Sequence, residues 1–427
     1  MKIALLHYAY TPVIGGVEFI MEQHAGVFDR RGHQVKVVCG AGARREHRDV
    51  GVVVIPELSA GSEACATSQR VLHQPGGEHL PEFAGLKGWL KERFLAELAD
   101  ADIVFVHNLF VMHFNLAATA ALWEVADELG GQVRMVSWVH DIAAINPDYT
   151  FPDPEAYPWN LLRRAPPAPV EVVVISAKRQ RQYAALTGLP TSATPVVPNG
   201  VEFLRLLTLT DHMSSLVRRF GLLYRDVVLV HPARILRRKN VEFGIRVLAE
   251  LKALGLQCTY LITGAPDPHN AESLEYGNAL RALIHQLGVS EQFLFVSEHF
   301  PVADADLNGL YQVADVLFLP SRQEGFGLPL LEAAIFRIPA FCPRIEPMRS
   351  ILNHNVTLFE LEDPPGEVAI RIMEVLGRSP GFLSRKEVMR KYSWDRLFDQ
   401  MIEPMFLPRH IESPIPHAPP RSQRANA

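Results

Sequence analysis

The sequence predicts an α/β protein built from two Rossmann-like domains. Three observations carry that expectation. Short apolar runs with the composition of buried parallel strands alternate with helical stretches along the chain. The alternation restarts at Val227, near the middle of 427 residues, a length that suits two domains or more. Several runs empty into turns of glycine, histidine or charged residues, and the carboxyl ends of strands are where open α/β sheets bind ligands.

Ile3–Leu6 reads as the first buried strand. It feeds Thr11-Pro-Val-Ile-Gly-Gly-Val-Glu18 and a helical run to about Arg30. A strand, two glycines and a helix make a phosphate cradle, although the pattern alone is equally an ordinary βα turn. Gln34–Cys39 is the second strand. Gly40-Ala-Gly42 follows, but Arg45 stands where the third glycine of a dinucleotide fingerprint belongs, so no nicotinamide site is expected. Val52–Ile55 is a third strand, and residues 59–77 are a loop with a short helix. Asp102–His107 and Val133–Val139 are strands that end in His107-Asn108 and His140-Asp141. Strand-end histidines are commonly hydrogen-bonded structural residues; beside a ligand they become contact residues. Asn146-Pro-Asp-Tyr149 and Tyr157-Pro-Trp159 form an aromatic, proline-rich insertion, suited to a polar ligand with apolar faces or to plain packing. Val172–Ser176 is a strand, and Lys178-Arg-Gln-Arg181 begins a helix with a solvated basic face.

Val227–His231 opens the second half. Arg234-Ile-Leu-Arg-Arg-Lys-Asn240 then opens a helix carrying Val241, Gly244, Ile245 and Leu248. Arg234 and Lys239 at a helix start make a cation pair placed for a diphosphate, or else a basic surface turn. Thr259–Thr263 and Phe293–Val296 are strands. Asp304-Ala-Asp306 and Asp100-Ala-Asp102 each spell D-x-D, a cation-binding pair in metal-dependent enzymes, but no further ligands cluster near either, and no metal is expected. Ser393 to Phe406 reads as a terminal amphipathic helix, and residues 413–427 as a disordered, proline-rich tail.

Between these lies the densest motif. The apolar strand Asp315–Pro320 runs into Glu324-Gly-Phe-Gly-Leu-Pro-Leu-Leu-Glu332, and a helix beginning near Leu330 leaves it. Gly325 and Gly327 permit a tight turn and close approach to bare amides. Pro329 fits a first helical turn, where no N–H is missed. Glu324 precedes the turn and Glu332 lies inside the helix. Eight helical residues would separate them by roughly 12 Å before the bend shortens it, so they suit two ends of one ligand.

Composition bounds the rest. Hydrophobic residues make up 48% and charged residues 21%, which reads as globular, and a net charge of -5 gives no reason to expect nucleic acid. Cys39, Cys65, Cys258 and Cys342 are far apart and form no CxxC, so neither a disulfide framework nor a zinc site is expected, and a reducing cytoplasm is the expected setting. Met1-Lys2 leads straight into a strand, without the apolar core of a signal peptide, and no run is long enough to span a bilayer.

The stretch Glu324–Glu332 resembles the E-x7-E motif of family 4 retaining glycosyltransferases, in the form EGFGLPxLEA. Arg234 and Lys239 match the two cations of that family's G-R-x4-K pattern, with Ala233 in place of the glycine. Gly15 and Gly16 match its GG-x-E loop, and Pro198-Asn-Gly-Val-Glu202 resembles its PNGVD segment. The resemblance implies the GT-B architecture, two Rossmann-like domains facing each other across a cleft. Residues 1–200 with a returning helix at 393–408 would form the acceptor-side domain, and 201–392 the nucleotide-sugar domain. It implies that Glu324 contacts donor-sugar hydroxyls and that Glu332 holds the ribose. The amides of Phe326, Gly327 and Leu328, with Gly15 and Gly16, would meet sugar and phosphates. Ser297 would line the base, and His140 would lie beside the sugar. His107, Asn108, Asp141 and Tyr149 are assigned to the acceptor side. The chain departs from the family after Glu332: a G-x-P-V loop and a glycine-rich segment are replaced by Arg337-Ile-Pro-Ala and Pro343-Arg-Ile-Glu-Pro-Met348.

The activity implied is transfer of a hexose from a nucleoside-diphosphate sugar, of the UDP-glucose or GDP-mannose type, to an acceptor hydroxyl, with retention at the anomeric carbon. Glu324, Arg234, Lys239 and His140 would be the catalytic set, with no cofactor and no metal. Front-face attack assisted by the leaving phosphate is preferred to double displacement, which needs a carboxylate at the anomeric carbon. The acceptor is a small polar solute, a polysaccharide or a lipid; the absence of an evident membrane helix favours the first. The alternatives are an inactive nucleotide-sugar-binding paralogue and another GT-B enzyme such as an epimerase or a pyridoxal-dependent phosphorylase.

Overall fold

Val227–His231, Cys258–Ile262 and Ile103–His107 are buried at every position. Strands without a solvent face belong in parallel sheets covered on both sides, and that is where the structure puts them. The computed structural model describes residues 1–44, 49–266, 271–352 and 355–406. The chain divides into two units, the first comprising Met1–Gly200 with the chain from Trp394 onward, the second Val201–Ser393.

Unit 1 contains β1 (Lys2–His7), β2 (Gln34–Cys39), β3 (Val50–Val54), β4 (Ile103–His107), β5 (Arg134–Val139) and β6 (Glu171–Val174). They form one parallel sheet in the order β3-β2-β1-β4-β5-β6. Unit 2 contains β7 (Val227–His231), β8 (Cys258–Ile262), β9 (Phe293–Phe295), β10 (Val316–Phe318), β11 (Ala340–Pro343) and β12 (Thr357–Phe359). Its sheet has the order β12-β11-β10-β7-β8-β9, again parallel throughout. Counted within each unit, both sheets read 3-2-1-4-5-6, the doubly wound Rossmann order. The winding reverses between β1 and β4 in unit 1 and between β7 and β10 in unit 2. A crevice opens at such a reversal because the connections leave in opposite directions.

The helix Gly16–Arg30, which follows β1, is buried on all sides from Ile20 to Phe28. The sheet covers one side and the returning C-terminal segment the other: the Phe28 ring stacks on Phe105 at 5.2 Å and lies 5.9 Å from Phe398. That segment is not the single amphipathic helix expected. It is one α-turn (Trp394–Leu397), a π-turn (Phe398–Ile402) and a 3₁₀ turn (Glu403–Phe406). Pro404 has no N–H to continue an α-ladder, which accounts for the break.

Most of the expected strands differ by one or two residues at their ends, and for two of them the cause is visible. β3 stops at Val54 because Ile55 leads into a 3₁₀ turn at Pro56–Leu58. β10 begins after Asp315, whose buried carboxylate accepts the Val228 amide at 2.8 Å and the Lys386 ammonium at 2.7 Å. All four cysteines are free and buried. Among the described residues no helix is long and apolar enough to cross a membrane. The expected tail, residues 413–427, and Arg45 lie outside the described residues.

Candidate functional site

In unit 2, the loops leaving β7 and β10 meet at the reversal point. The chain after β7 passes through Arg234, makes a 3₁₀ turn at Arg237–Lys239, takes a left-handed Asn240 (φ 51°) and starts the helix Val241–Ala253. The loops are pinned to each other. Asn240 donates to the Pro320 carbonyl at 3.0 Å, the Arg322 amide to the Arg238 carbonyl at 2.8 Å, and the Arg322 guanidinium to Asn240 Oδ1 at 3.1 Å. The turn after β8 closes on the same loop, since a Cβ on Gly264 would sit 2.5 Å from the Ala233 oxygen.

These pins bring Lys239 and Glu324 together. The ammonium lies 2.5 Å from Glu324 Oε1, which also accepts from the Ser321 hydroxyl at 2.6 Å, and Arg238 approaches Oε2 at 3.6 Å. Both side chains are largely buried, at 14% and 11% exposure. Arg234 is exposed and has no hydrogen bond or ion pair among the described residues. The two cations therefore do not stand at the start of the long helix as expected. They lie in the loop and 3₁₀ turn before it, and the first amide of that helix is taken by the Tyr276 hydroxyl at 3.0 Å.

Gly327, at φ 98°, caps the helix Leu328–Ile335. The amides of Phe326, Gly327 and Leu328 have no protein acceptor among the described residues, and the Phe326 and Leu328 side chains are exposed. Glu332 accepts the Tyr311 hydroxyl at 2.6 Å. At the end of β9, two strands from β7, Ser297 holds a hydroxyl oxygen shielded from solvent and without a partner among the described residues. The carboxyl edge of one sheet thus carries the cations Arg234, Arg238 and Lys239, two carboxylates, three open amides and a buried hydroxyl. Three of the four D-x-D carboxylates have protein partners. Asp306 caps its helix at Ala303 N and accepts from Thr210, Asp100 pairs with Lys36, and Asp102 accepts the Lys2 amide.

The loop that departs from the family pattern has a visible cost. Arg337 stands where that pattern has glycine, and its φ is 60°, a conformation that L side chains resist. Met348 and Ile351 pack near Gly327, so the loop still supports the turn. Arg337→Gly should raise unfolding stability by about 1 kcal/mol, the relief of left-handed strain less the entropy glycine adds to the unfolded chain. Denaturant titration of both proteins reads this directly, and a loss of stability would contradict it.

Unit 1 assembles histidines at its own reversal point. His7 ends β1, His107 ends β4 and His140 follows β5. His7 Nδ1 lies 2.8 Å from the His107 carbonyl, and His107 Nδ1 lies 2.9 Å from His140 Nε2. His24, inside the helix Gly16–Arg30, adds a fourth ring against Trp138, Trp394 and His107, with neither nitrogen partnered among the described residues. Burial holds His7 down to about 4 and His24 to about 3, and pushes His107 and His140 well below the usual histidine range. Gly15 takes extended backbone just ahead of the helix, and a Cβ there would strike the Glu18 carboxylate; around Gly16 there is open space.

The residues assigned to the acceptor side have other positions. His107 is fully buried and Asn108 is 4% exposed, and both hydrogen-bond to His140, with Asn108 Oδ1 accepting the His140 amide at 2.8 Å. Asp141 pairs with Arg179 at 2.7 Å and accepts the Ile142 amide. Tyr149 packs against His113 and Phe114. Sequence reasoning did not single out His24, Ser321 or Tyr311. The partners of His24 and Tyr311 lie on other elements of the chain, so nothing local marks those two; Ser321 sits three residues before Glu324, and that closeness was the signal that could have found it.

Two family models match the chain: "Glycosyltransferase Family 4" over residues 14–203 and "Glycosyl transferases group 1" over 218–392. The chain belongs to glycosyltransferase family 4. This family 4 chain is 24% identical over 380 residues to the mannosylglucosylglycerate synthase of Thermotoga maritima, covering 82% of each. It is 30% identical over 239 residues to the D-inositol 3-phosphate glycosyltransferase of Geodermatophilus obscurus, covering 54% of this chain and 51% of that one. It spans half to three fifths of the length of the first curated relatives it matches. A crystal structure of an Anabaena protein, HepE, in complex with UDP and glucose aligns over 95% of this chain and 99% of that one, at 18% identity and a TM-score of 0.35.

Proposed function

We propose that the protein transfers a hexose from a nucleoside-diphosphate sugar to a hydroxyl of a small polar acceptor of the glycerate type, with retention of anomeric configuration. The observation that carries this reading is the Lys239–Glu324 contact at the reversal point of the second sheet, beside the open amides of Phe326, Gly327 and Leu328. A buried cation, an exposed arginine and unpaired amides suit a diphosphate. Two carboxylates on the same turn suit the hydroxyls of a sugar and of a ribose. The family supports glycosyl transfer, and the Thermotoga relative supports a small acceptor.

In the ligand-free protein Lys239 and Glu324 neutralise each other. Donor binding would exchange partners, the ammonium turning to the diphosphate and the carboxylate to sugar hydroxyls. Charge builds on the leaving phosphate as the glycosidic bond breaks, and Arg234, Lys239 and the amides at the helix start would stabilise it in place. His140 is assigned to a sugar hydroxyl. The acceptor hydroxyl would attack from the face the phosphate leaves and pass its proton to a phosphate oxygen. No cofactor and no metal enters this scheme.

The test is release of nucleoside diphosphate from UDP-glucose and GDP-mannose, with and without glycerate-type acceptors, in excess chelator, with the product anomer read by NMR. Acceptor-dependent release and a retained configuration are expected. Release that needs added magnesium or manganese would overturn the metal-free scheme. The altered loop at Arg337–Met348 favours one alternative, a donor-binding protein without turnover; binding without acceptor-dependent release would establish it.

A further inference from the structure

We propose that His107 and Asn108 act as a two-point clamp on the end of β5 that fixes both the orientation and the tautomer of His140, leaving His140 Nδ1–H as the donor offered to a ligand.

The clamp is made by consecutive residues with different tools. Asn108 adopts φ 62°, a left-handed conformation that asparagine tolerates well, and this turns its side chain back across the strand ends. Its Oδ1 accepts the amides of His140 at 2.8 Å and Asp141 at 3.3 Å, so the backbone of the next strand end is held. His107 holds the side chain. Its Nδ1 meets His140 Nε2 at 2.9 Å, with the two rings nearly parallel, 5.2 Å apart at 19°. Trp138 is a second near-parallel neighbour of His107, its ring 6.2 Å away at 29°.

The direction of the histidine–histidine bond follows from what surrounds His107. Its second nitrogen, Nε2, is buried without a partner among the described residues, and so are both nitrogens of the His24 ring, whose centroid lies 5.2 Å from that of His107. If His140 Nε2–H were the donor, neutral His107 would carry its proton on Nε2, as a buried N–H with no acceptor. Orphaned buried N–H groups are rarer than orphaned acceptors. The arrangement that avoids one puts the proton on His107 Nδ1, donating to His140 Nε2. Neutral His140 then carries its own proton on Nδ1. Only 8% of His140 is exposed, and Nδ1 has no protein partner among the described residues. An Nδ1–H in that position donates to a hydroxyl oxygen; the other tautomer would only accept.

The clamp itself does not depend on the ligand's identity, but its consequence for turnover rests on the proposed hexosyl transfer. The experiment separates the two. Nitrogen-15 NMR of histidine in the ligand-free protein, with His140 assigned by His140→Gln, reads the tautomer without any substrate. Wild type is expected to show His140 protonated on Nδ1 with Nε2 accepting. His140 protonated on Nε2 would overturn the proposal. Two variants extend the test. Asn places an amide N–H where His107 Nδ1 stands, so His107→Asn should keep the His140 tautomer, whereas His107→Leu should release it. In transfer assays His107→Leu should lower kcat by about tenfold, the worth of one aligned hydrogen bond, with donor KM changed far less, and His107→Asn should recover most of that loss. Equal His140 spectra in the two variants, or an Asn variant as impaired as the Leu variant, would overturn the clamp. A folded wild type that shows the Nδ1–H tautomer yet transfers no sugar would support the clamp and count against the proposed function alone.

Discussion

Lys239→Ala is expected to lower the rate constant for transfer by about 10²–10³, more than it weakens donor binding. The reason lies in where the ammonium sits. At 14% exposure, between the loops that leave β7 and β10, its charge is poorly screened by water. A cation held there acts most strongly on charge that develops on a departing diphosphate. The variant has a second effect, because Glu324 loses its partner and faces the incoming phosphates as a bare carboxylate. A double-mutant cycle with Glu324→Gln separates the two. If Lys239 serves the leaving group, the rate loss persists when Glu324 is already neutral. Unchanged turnover in Lys239→Ala would remove Lys239 from the mechanism.

Stability should fall steeply below pH 6.5. Histidine titrates near 6.5 when unfolded, but burial holds His7 to about 4 and His24 to about 3; burial, aided by the Lys239 charge, holds His231 to about 3. Above pH 6.5 these rings are neutral in both states and contribute nothing. Below it the unfolded chain takes up protons that the folded chain refuses, so stability is lost as pH falls towards the folded values. At pH 5 each of the three costs about 2 kcal/mol, about 6 kcal/mol together, a large part of the ordinary stability of a domain. His107 and His140 act in the same direction. Four of the five rings belong to unit 1, which should therefore unfold first on acidification. Thermal unfolding followed from pH 8 to pH 5 checks this. His24→Phe, which puts an uncharged ring among Phe28, Trp138 and Trp394, should remove about 2 kcal/mol of the acid loss at pH 5. A midpoint that does not move between pH 7.5 and 5 would contradict the account.

Much of the fold was written locally. The buried strands show as unbroken apolar runs, and the turns after β7 and β10 show as charged and glycine-bearing segments. The helix Pro81–Leu98 has an equally readable signal in the spacing of Phe83, Leu86, Leu90, Phe94 and Leu98, all buried. Strand order has no local signature. The 3-2-1-4-5-6 winding places Lys239 against Glu324 across 85 residues, and sequence reasoning had given the two residues separate tasks at opposite ends of a sugar phosphate. His107 and Asn108 show the same limit. A strand-end His-Asn gives no local sign of its hydrogen bonds to His140, which exist only once the neighbouring strand is in place. Arg337 is the reverse case, where a pattern lost in the sequence is kept in the backbone, which still takes the left-handed turn that glycine would take freely.

The central claim is that one turn, Glu324–Glu332, grips two ends of a nucleotide sugar. Calorimetric titration of nucleoside diphosphate into wild type, Glu324→Gln and Glu332→Gln tests it most directly. Glu332, taken to hold the ribose, keeps its shape as glutamine but loses its charge; binding should weaken by about 1.5–3 kcal/mol, the worth of a charge-assisted hydrogen bond. Glu324 is taken to touch only the sugar, and its loss frees Lys239 from a competing carboxylate, so Glu324→Gln should bind nucleoside diphosphate as well as wild type or better while transfer falls. A Glu324→Gln protein that loses nucleotide affinity, beside a Glu332→Gln protein that keeps it, would contradict the assignment of both ends.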